Sequence, residues 1–524
     1  MNSDADAVVI GAGPNGLVAA NLLADAGWDV LVLEAQDEPG GAVRTAEITA
    51  PGFRNDLYSA FYPLGLGSPV IDVLNLDLEW SHAPAVLAHV FPDDRVALLS
   101  RDADVTAKSV GSFAHSDAEA WQEEFARFQR VRSSILDSLL RPFPPVRGAL
   151  SLLRTAGPGD ALRLTRMLTL PVRRLGEELF AGEGARILLA GNTMHTDLGP
   201  DQAGGAGFGW LLAMLGQDVG NPVPAGGASS LTSALVRRLE ARGGRVVCGA
   251  RVTSVLHARG VAVGVRVGSE LVRARRAVLA DVPAPKLYLD LVGASSLPDR
   301  LVDDLSRFQY DHATIKVDWA LSGPIPWTNP EAAGAGTVHL GGDLNGLAAT
   351  AHELACQKLP RTPFLVMGQM TTSDPSRSPA GTEAAWAYTH VPNGGKWTDD
   401  RLRRRADRVE QLIEERAPGF RSLILGRHIA GPAQLEEGNS SLVEGAINAG
   451  TAAIHQQLVF RPVPGLGRAD TPFDRLYLAN ASAWPGGGVH GAAGANAARA
   501  ALARNGRAGE AYRMLIQGAH RAIY

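Results

Sequence analysis

A chain of 524 residues is too long for one compact core, and two large domains are expected. Hydrophobic residues at 45% against 20% charged, with mean hydropathy near zero, describe a folded protein with a sizeable interior and exclude a disordered chain. A formal charge of -4, with no long block of Lys and Arg, sets up no field that would attract nucleic acid, so none is expected as a partner.

Met1 to Asp6 runs directly into an apolar strand, with no basic region followed by an apolar segment, and no secretory signal is expected. Ala7-Val8-Val9-Ile10 predicts a buried parallel strand, and Gly11-Ala12-Gly13-Pro14-Asn15-Gly16 follows at once. Leu17, Ala20, Asn21 and Ala24 then recur at helical spacing. Gly27 ends that helix before a second strand, Val30-Leu31-Val32-Leu33, which finishes on Glu34. Strand, glycine turn, helix, strand and terminal acid in this order make a Rossmann-type dinucleotide fingerprint. Gly11 permits the tight turn, Gly13 lets a pyrophosphate reach the backbone beside Pro14, Gly16 lets the helix pack closely, and Glu34 accepts from a ribose. Just beyond, Gly40 and Gly41 let the backbone run close to the same phosphates, and Arg44 offers a planar fork of donors to them.

Residues 80–220 are mostly helical in pattern. Within them, Arg127 to Gly176 carries many arginines facing only Asp137 and Asp160, interleaved with leucines and prolines. This predicts either a helical lid with a solvated basic face or a face lying on an anionic membrane. Thr314 to Leu321 and Phe364 to Met370 predict strands of a second sheet, Ser373 to Pro379 an exposed loop, and Asp399 to Glu415 a charged helix. Arg475 to Ala481 predicts a strand, and Trp484 to Ala498 a glycine-rich turn opening a helix of small residues. The N–H groups of that turn, at Gly487, Gly488, Val489 and His490, and the helix dipole would face an electron-rich ring. No apolar stretch reaches the ~18 residues of a membrane span. Cys248 and Cys356 lack any metal, redox-pair or disulfide spacing and are expected to be core residues in a reducing compartment. A cytosolic location is the default, with peripheral attachment to a membrane left open.

Together these blocks resemble the phytoene dehydrogenase-related family of flavoproteins, which includes carotenoid desaturases and shares its architecture with amine oxidases. Pro224 to Leu235, Gly243 to Val255, Arg276 to Pro283 and Phe460 to Gly465 resemble further family segments, while Trp484 and His490 depart from its pattern. The resemblance implies one FAD, with Val252 on a strand beside the adenine. It implies an α/β fold in which residues 1–65, 221–295 and 470–524 assemble a discontinuous FAD domain. Residues 66–220 and 296–469 then form an α+β substrate domain, with 127–176 its lid or membrane-facing part. The implied reaction is dehydrogenation of an apolar, isoprenoid- or lipid-like molecule, with oxygen or a quinone receiving the electrons. His490 in the flavin turn, and Lys316, placed like the lysine that bridges water to the flavin in amine oxidases, are the candidate catalytic residues. The alternatives are an amine oxidase releasing hydrogen peroxide, expected to show an aromatic cage, and a non-catalytic FAD-binding assembly protein. No zinc spacing, Ser-His-Asp arrangement or second dinucleotide fingerprint is found, and the oligomeric state stays open.

Overall fold

The computed structural model describes residues 4–524, so the expectation for Met1 to Ser3 lies outside the described residues. Its first sheet is built around β1 (Asp4–Ile10) and β2 (Val30–Leu33), parallel neighbours joined through α1 (Pro14–Asp25). From Ala7 onward both strands are buried on both faces: Ala7, Val9, Val30 and Val32 pack against α1, and Val8, Ile10, Leu31 and Leu33 against a second apolar layer that includes Val252, Val255 and Val265. β1 starts three residues earlier than the apolar run predicts.

The chain next contributes β3 (Ala85–Val90) and β4 (Val96–Leu99), then a helical region: α2 (Ser116–Leu139), α3 (Val146–Met167), α4 (Val172–Leu179), α5 (Glu183–Thr193) and α6 (Gly205–Val219). It returns to the first sheet through α7 (Ser229–Glu240), β5 (Arg245–Val247), β6 (Val252–Ala258), β7 (Val261–Val267) and β8 (Glu270–Ala280). The second sheet is completed by β9 (Ala313–Leu321), β10 (Ala335–Leu340), β11 (Leu365–Gln369), β12 (Glu383–Val391), the helix α8 (Asp399–Glu414) and β13 (Ile424–Ala430). Finally β14 (Leu476–Leu478), shorter than predicted, α9 (Ala492–Asn505) and α10 (Gly509–Ile523) rejoin the first sheet.

The first sheet has the order β6-β7-β8-β1-β2-β5, with β14 also pairing β8. The second runs β13-β9-β12-β11-β10-β3-β4 and is antiparallel except for the β10–β3 pair. Strands of the first sheet come from within 1–65, 221–295 and 470–524, and those of the second from the intervening segments. Three close approaches hold the first domain together. A Cβ on Gly16 would stand 2.2 Å from the Gly11 carbonyl, one on Gly11 2.8 Å from the Asp281 carbonyl, and one on Gly494 1.9 Å from the carbonyl of Asn15. The last contact explains why α9 is a run of buried alanines: only a helix with almost no side chains can lie this close to α1.

Several expectations need correction. The segment 80–220 is mostly helical as its pattern predicts, but it opens on strands: Ala85 to Val90 is buried along its whole length and pairs with β10 as β3. A short buried run, apolar except for His89, has no period that separates strand from helix. Cys248 is half-buried and Cys356 exposed, so neither is a core residue. The loop at Ser373 to Pro379 is exposed only in part. Arg377 is fully buried, pairing with Asp56 at 2.8 Å and donating to the Arg54 carbonyl at 3.0 and 3.2 Å.

The 127–176 stretch is also less basic in space than in sequence. Arg132 pairs with Asp218, Arg166 and Arg174 with Glu178, Arg173 with Asp201, and Arg127 with Glu124, so acids from other segments neutralise it. α3 exposes apolar side chains among its arginines: Val146, Leu150 and Leu153 at positions i, i+4 and i+7, and Leu162 beyond the kink at Gly157-Pro158, 71% exposed, alongside exposed Arg147, Arg154 and Arg163.

Asp56 Oδ1 also accepts from the Thr45 hydroxyl (2.7 Å) and the Ala228 amide (2.9 Å), so the Arg377 pair joins both domains. Removing one partner strands a buried charge. Arg377→Met is expected to destabilise the fold by about 3–5 kcal/mol in urea unfolding, and Asp56→Asn added to it to recover part of that loss.

Candidate functional site

A cavity of about 440 Å³ runs between the two domains. One end lies over the β1–α1 turn. Gly13 is the N-cap of α1 and has no side chain to cap the helix, so the amides of Gly13 and Asn15 have no acceptor among the described residues. Glu34, at the end of β2, accepts the Ala12 amide (2.8 Å) and the Gln36 amide (2.9 Å), and lines the cavity. Each of its oxygens keeps a further lone pair for a hydroxyl. Val252, beside Arg251, closes the same end.

Gly40 donates to the Ala12 carbonyl at 2.9 Å, and a Cβ on Gly41 would stand 3.1 Å from the Gly13 Cα. Both have positive φ, so the second glycine pair presses its backbone against the first turn. Arg44 stands one layer back. Its Nη2 donates to the Tyr58 hydroxyl (3.1 Å) and the Gly438 carbonyl (3.2 Å), groups that themselves line the wall, and its buried Nε has no partner.

At the centre, Gly486 to His490 lead into α9. His490 accepts the Ala492 amide on Nδ1 (3.0 Å), its carbonyl accepts the Ser68 hydroxyl (2.8 Å), and its ring faces the Gly486 and Gly487 backbone. Burial pushes its pKa down to about 4. This imidazole is therefore neutral and spent on shaping the turn.

The far end is walled by the second sheet and by the chain after α5. Lys316 on β9 is buried here. Its ammonium donates to the Asp56 carbonyl (2.9 Å) and to the Asp318 carboxylate, and lies 5.6 Å from the Trp386 ring centre. Trp386 and Tyr388 stack side by side on β12, with Phe61 tilted against Trp386. The rings form one aromatic stripe rather than two facing walls.

Sequence reasoning missed three features. Asp281, directly after β8, accepts the Gly16 amide (2.9 Å) and the Asn480 side-chain amide (2.9 Å). Burial, followed by the nearby Glu34 charge, outweighs those bonds and raises its pKa to about 7. Its place after a strand and beside the glycine turn was the available signal. Asp311 clamps a loop by accepting the amides of Ile447 and Asn448 (both 2.9 Å) and Gly450 (3.1 Å), which sets Asn448 against Gly487. His195, on the cavity wall, has no local sequence signal.

The cradle fits a dinucleotide on structural grounds. It offers open helix amides, a place at Gly13 where a Cβ would stand 2.6 Å from Asp281 Oδ2, an acid for a ribose, and a second glycine turn at a helix start.

Residues 6–230 match the family model described as FAD dependent oxidoreductase. The chain is similar to pyridine nucleotide-disulfide oxidoreductase domain-containing protein 2 of Rattus norvegicus, at 29% identity over 95% of this chain and 93% of that protein. It is similar also to the zeta-carotene-forming phytoene desaturase of Myxococcus xanthus, at 26% identity over 92% and 90%. In fold it resembles cyclohexylamine oxidase from Brevibacterium oxydans, with a TM-score of 0.57 at 18% identity over 95% of this chain and 98% of that one. The chain is an FAD-dependent oxidoreductase of two-domain α/β architecture, and FAD is its cofactor.

An anionic pyrophosphate over the β1–α1 turn would raise the Asp281 pKa further, so FAD binding would be coupled to proton uptake. The FAD dissociation constant is expected to be flat below pH 7 and to rise above it, by at most about tenfold per pH unit, the limit for one proton. Asp281→Asn is expected to abolish that slope in a fluorescence titration of the apoprotein. By the same linkage, Asp281 stabilises the apoprotein most at low pH, and that contribution is lost as pH climbs through about 7.

Proposed function

We propose that this FAD-dependent oxidoreductase dehydrogenates an apolar, isoprenoid- or lipid-like molecule. The observation that carries the reading is the distribution of charge along the cavity. Its carboxylates, Glu34 and Asp281, lie at the dinucleotide end. The reacting end is lined by Leu139, Phe208, Leu212, Val366 and Trp386, and its charged groups are cations already engaged by the protein. Lys316 is held by Asp318 and Asp56. Arg461 donates to the carbonyls of Asn448, Ala449, Thr451 and Ala481.

An incoming ammonium would meet these cations with no carboxylate to receive it, whereas an apolar body gains roughly 25 cal/mol for each Å² it buries. That argues against an amine substrate, and the similarity to a phytoene desaturase supports the apolar one. Bound FAD supplies a two-electron acceptor that takes hydrogen from carbon as hydride. The chain's own part is to bind and orient the substrate, to exclude water through the aromatic stripe and the leucines, and to place it against the Gly486–His490 turn. Neither His490, spent on the Ala492 amide, nor Lys316, spent on Asp318, is needed as the acid or base in this reading. Oxygen or a quinone then receives the electrons.

The exposed leucines of α3 supply a way in for such a substrate. Leu139, at the end of α2, lines the cavity, and α3 begins a few residues later. No helix of the described residues is long and apolar enough to cross a membrane. The proposed contact is peripheral, with the apolar face of α3 on a lipid surface.

Anaerobic addition of phytoene or limonene to the FAD-loaded protein is expected to bleach the flavin bands, and putrescine or cyclohexylamine to leave them intact. Bleaching by the amines alone would establish the oxidase reading, and no bleaching by any compound a structural flavin. Flotation with neutral phosphatidylcholine vesicles is expected to persist at high salt, because the arginines are largely paired, and to be lost in Leu150→Asp/Leu153→Asp. Binding confined to anionic vesicles at low salt would show that charge dominates instead.

A further inference from the structure

The far end of the cavity carries two uncharged polar atoms that the protein itself does not use. Tyr388 lines the cavity from β12, its ring held between Trp386, stacked at 6.0 Å, and the edge of His390 at 5.6 Å. Its hydroxyl has no hydrogen-bond partner among the described residues, yet it is not sealed inside the wall. Asn192, in the last turn of α5, lines the cavity as well. Its Nδ2 donates to the Leu188 carbonyl at 2.8 Å. A main-chain carbonyl can only accept, so the amide nitrogen must face it, and Oδ1 is the atom turned away. That oxygen also lacks a partner among the described residues and is not sealed in.

The two groups flank Val366, which lines the cavity between them. Tyr388 is the register partner of Val366 on β11, and Val366 is the partner of His339 on β10. The end of α5 lies on this row. A Cβ on Gly191, the residue before Asn192, would stand 2.5 Å from His339 Nδ1, and His195 Nε2 lies 2.7 Å from His339 Nε2. Other polar groups of this wall are spent on the protein. The Thr196 hydroxyl donates to the Thr193 carbonyl (2.8 Å) and accepts the Leu198 amide (3.1 Å), and the Thr314 hydroxyl pairs with His390 Nδ1 (3.4 Å).

A substrate made only of carbon and hydrogen would cover the phenol and the amide oxygen and return no hydrogen bond to either, which costs binding energy. Asn192 Oδ1 can only accept. The phenol can donate, and burial with the Asp311 carboxylate nearby raises its pKa, so it keeps its proton. A hydroxyl has a hydrogen to give and lone pairs to receive, and so suits an acceptor and a donor alike. An ether or ketone oxygen suits the donor alone, and a hydrocarbon suits neither.

We infer that the substrate of this cavity carries one uncharged hydroxyl on an otherwise apolar body, and that Tyr388 and Asn192 are the specificity-determining residues that recognise it. The inference rests on the dehydrogenation proposed above and narrows its substrate class. An apolar chain held by burial alone can slide along leucines and aromatic rings. A hydroxyl fixed beside Val366 sets which carbons lie against the Gly486–His490 turn.

Limonene, α-terpineol and the methyl ether of α-terpineol share one carbon skeleton and test this directly. The alcohol is tertiary, so its own carbinol carbon has no hydrogen to lose. Dissociation constants come from the concentration dependence of the flavin spectral change, measured anaerobically on the FAD-loaded protein. In the wild-type protein α-terpineol is expected to bind about tenfold or more tighter than limonene, with the ether between them. Tyr388→Phe is expected to remove the ether's advantage over limonene, and Asn192→Leu the alcohol's advantage over the ether. Each ratio compares ligands on one protein, so a general loss of stability cancels, and should Asn192→Leu not fold, Tyr388→Phe decides alone. An alcohol no tighter than limonene, or a preference that survives both substitutions, overturns the inference. Flavin bleaching in the same titrations is a separate readout. Bleaching by limonene with no preference for the alcohol sinks the inference and leaves dehydrogenation standing. A preference that is lost in Tyr388→Phe, with bleaching by none of the three, upholds the recognition and counts against dehydrogenation.

Discussion

Everything in the first domain depends on backbones approaching closer than side chains allow. At the Gly11–Gly16 turn the chain after β8, the Gly40-Gly41 segment and α9 all converge. Their separations from a hypothetical Cβ run from 1.9 Å at Gly494 to 3.1 Å at Gly41, and the contacts below about 3 Å have no room for a methyl group. Close approach brings β1 between β8 and β2, leaves the first amides of α1 pointing into open space, and seats Asp281 on the Gly16 amide. Helix dipole, buried acid and cavity floor follow from this one steric condition.

The second domain is located by buried charge. Asp56 takes Arg377, Thr45 and the Ala228 amide on its side chain and Lys316 on its carbonyl, so one short segment ties the helix start at Ala228 in the first domain to the second sheet. Such networks add little net stability, because desolvation offsets attraction, but they leave few alternative arrangements with all partners satisfied. The aromatic stripe of Trp386 and Tyr388 and the wall at Val366 are held in place along the cavity through this junction.

Across the cavity the protein keeps most ionisable groups occupied or neutral. His490 is consumed by the Ala492 amide, Lys316 by Asp318, Arg461 by main-chain carbonyls, and His195 is held uncharged by burial. A wall of this kind suits a substrate without charge of its own, with the chemistry left to the cofactor.

By itself the sequence determined whatever depends on neighbours in the chain. The β1–α1–β2 fingerprint, Glu34, the Gly40-Gly41 pair, the strands at 313–321 and 365–369, the charged helix α8 and the glycine turn before α9 are local patterns, written as period, turn chemistry and spacing. Only the tertiary structure decided which polar groups are buried and what they meet. His195 and His339 are 144 residues apart, Arg377 lies 321 residues from Asp56, and Asp281 reaches Gly16 across 265. The arginines of 127–176 looked unpaired because several of their acids lie outside that stretch. Charge and imidazole chemistry are set by partners and desolvation, and both are fixed by long-range packing that no local window of sequence contains.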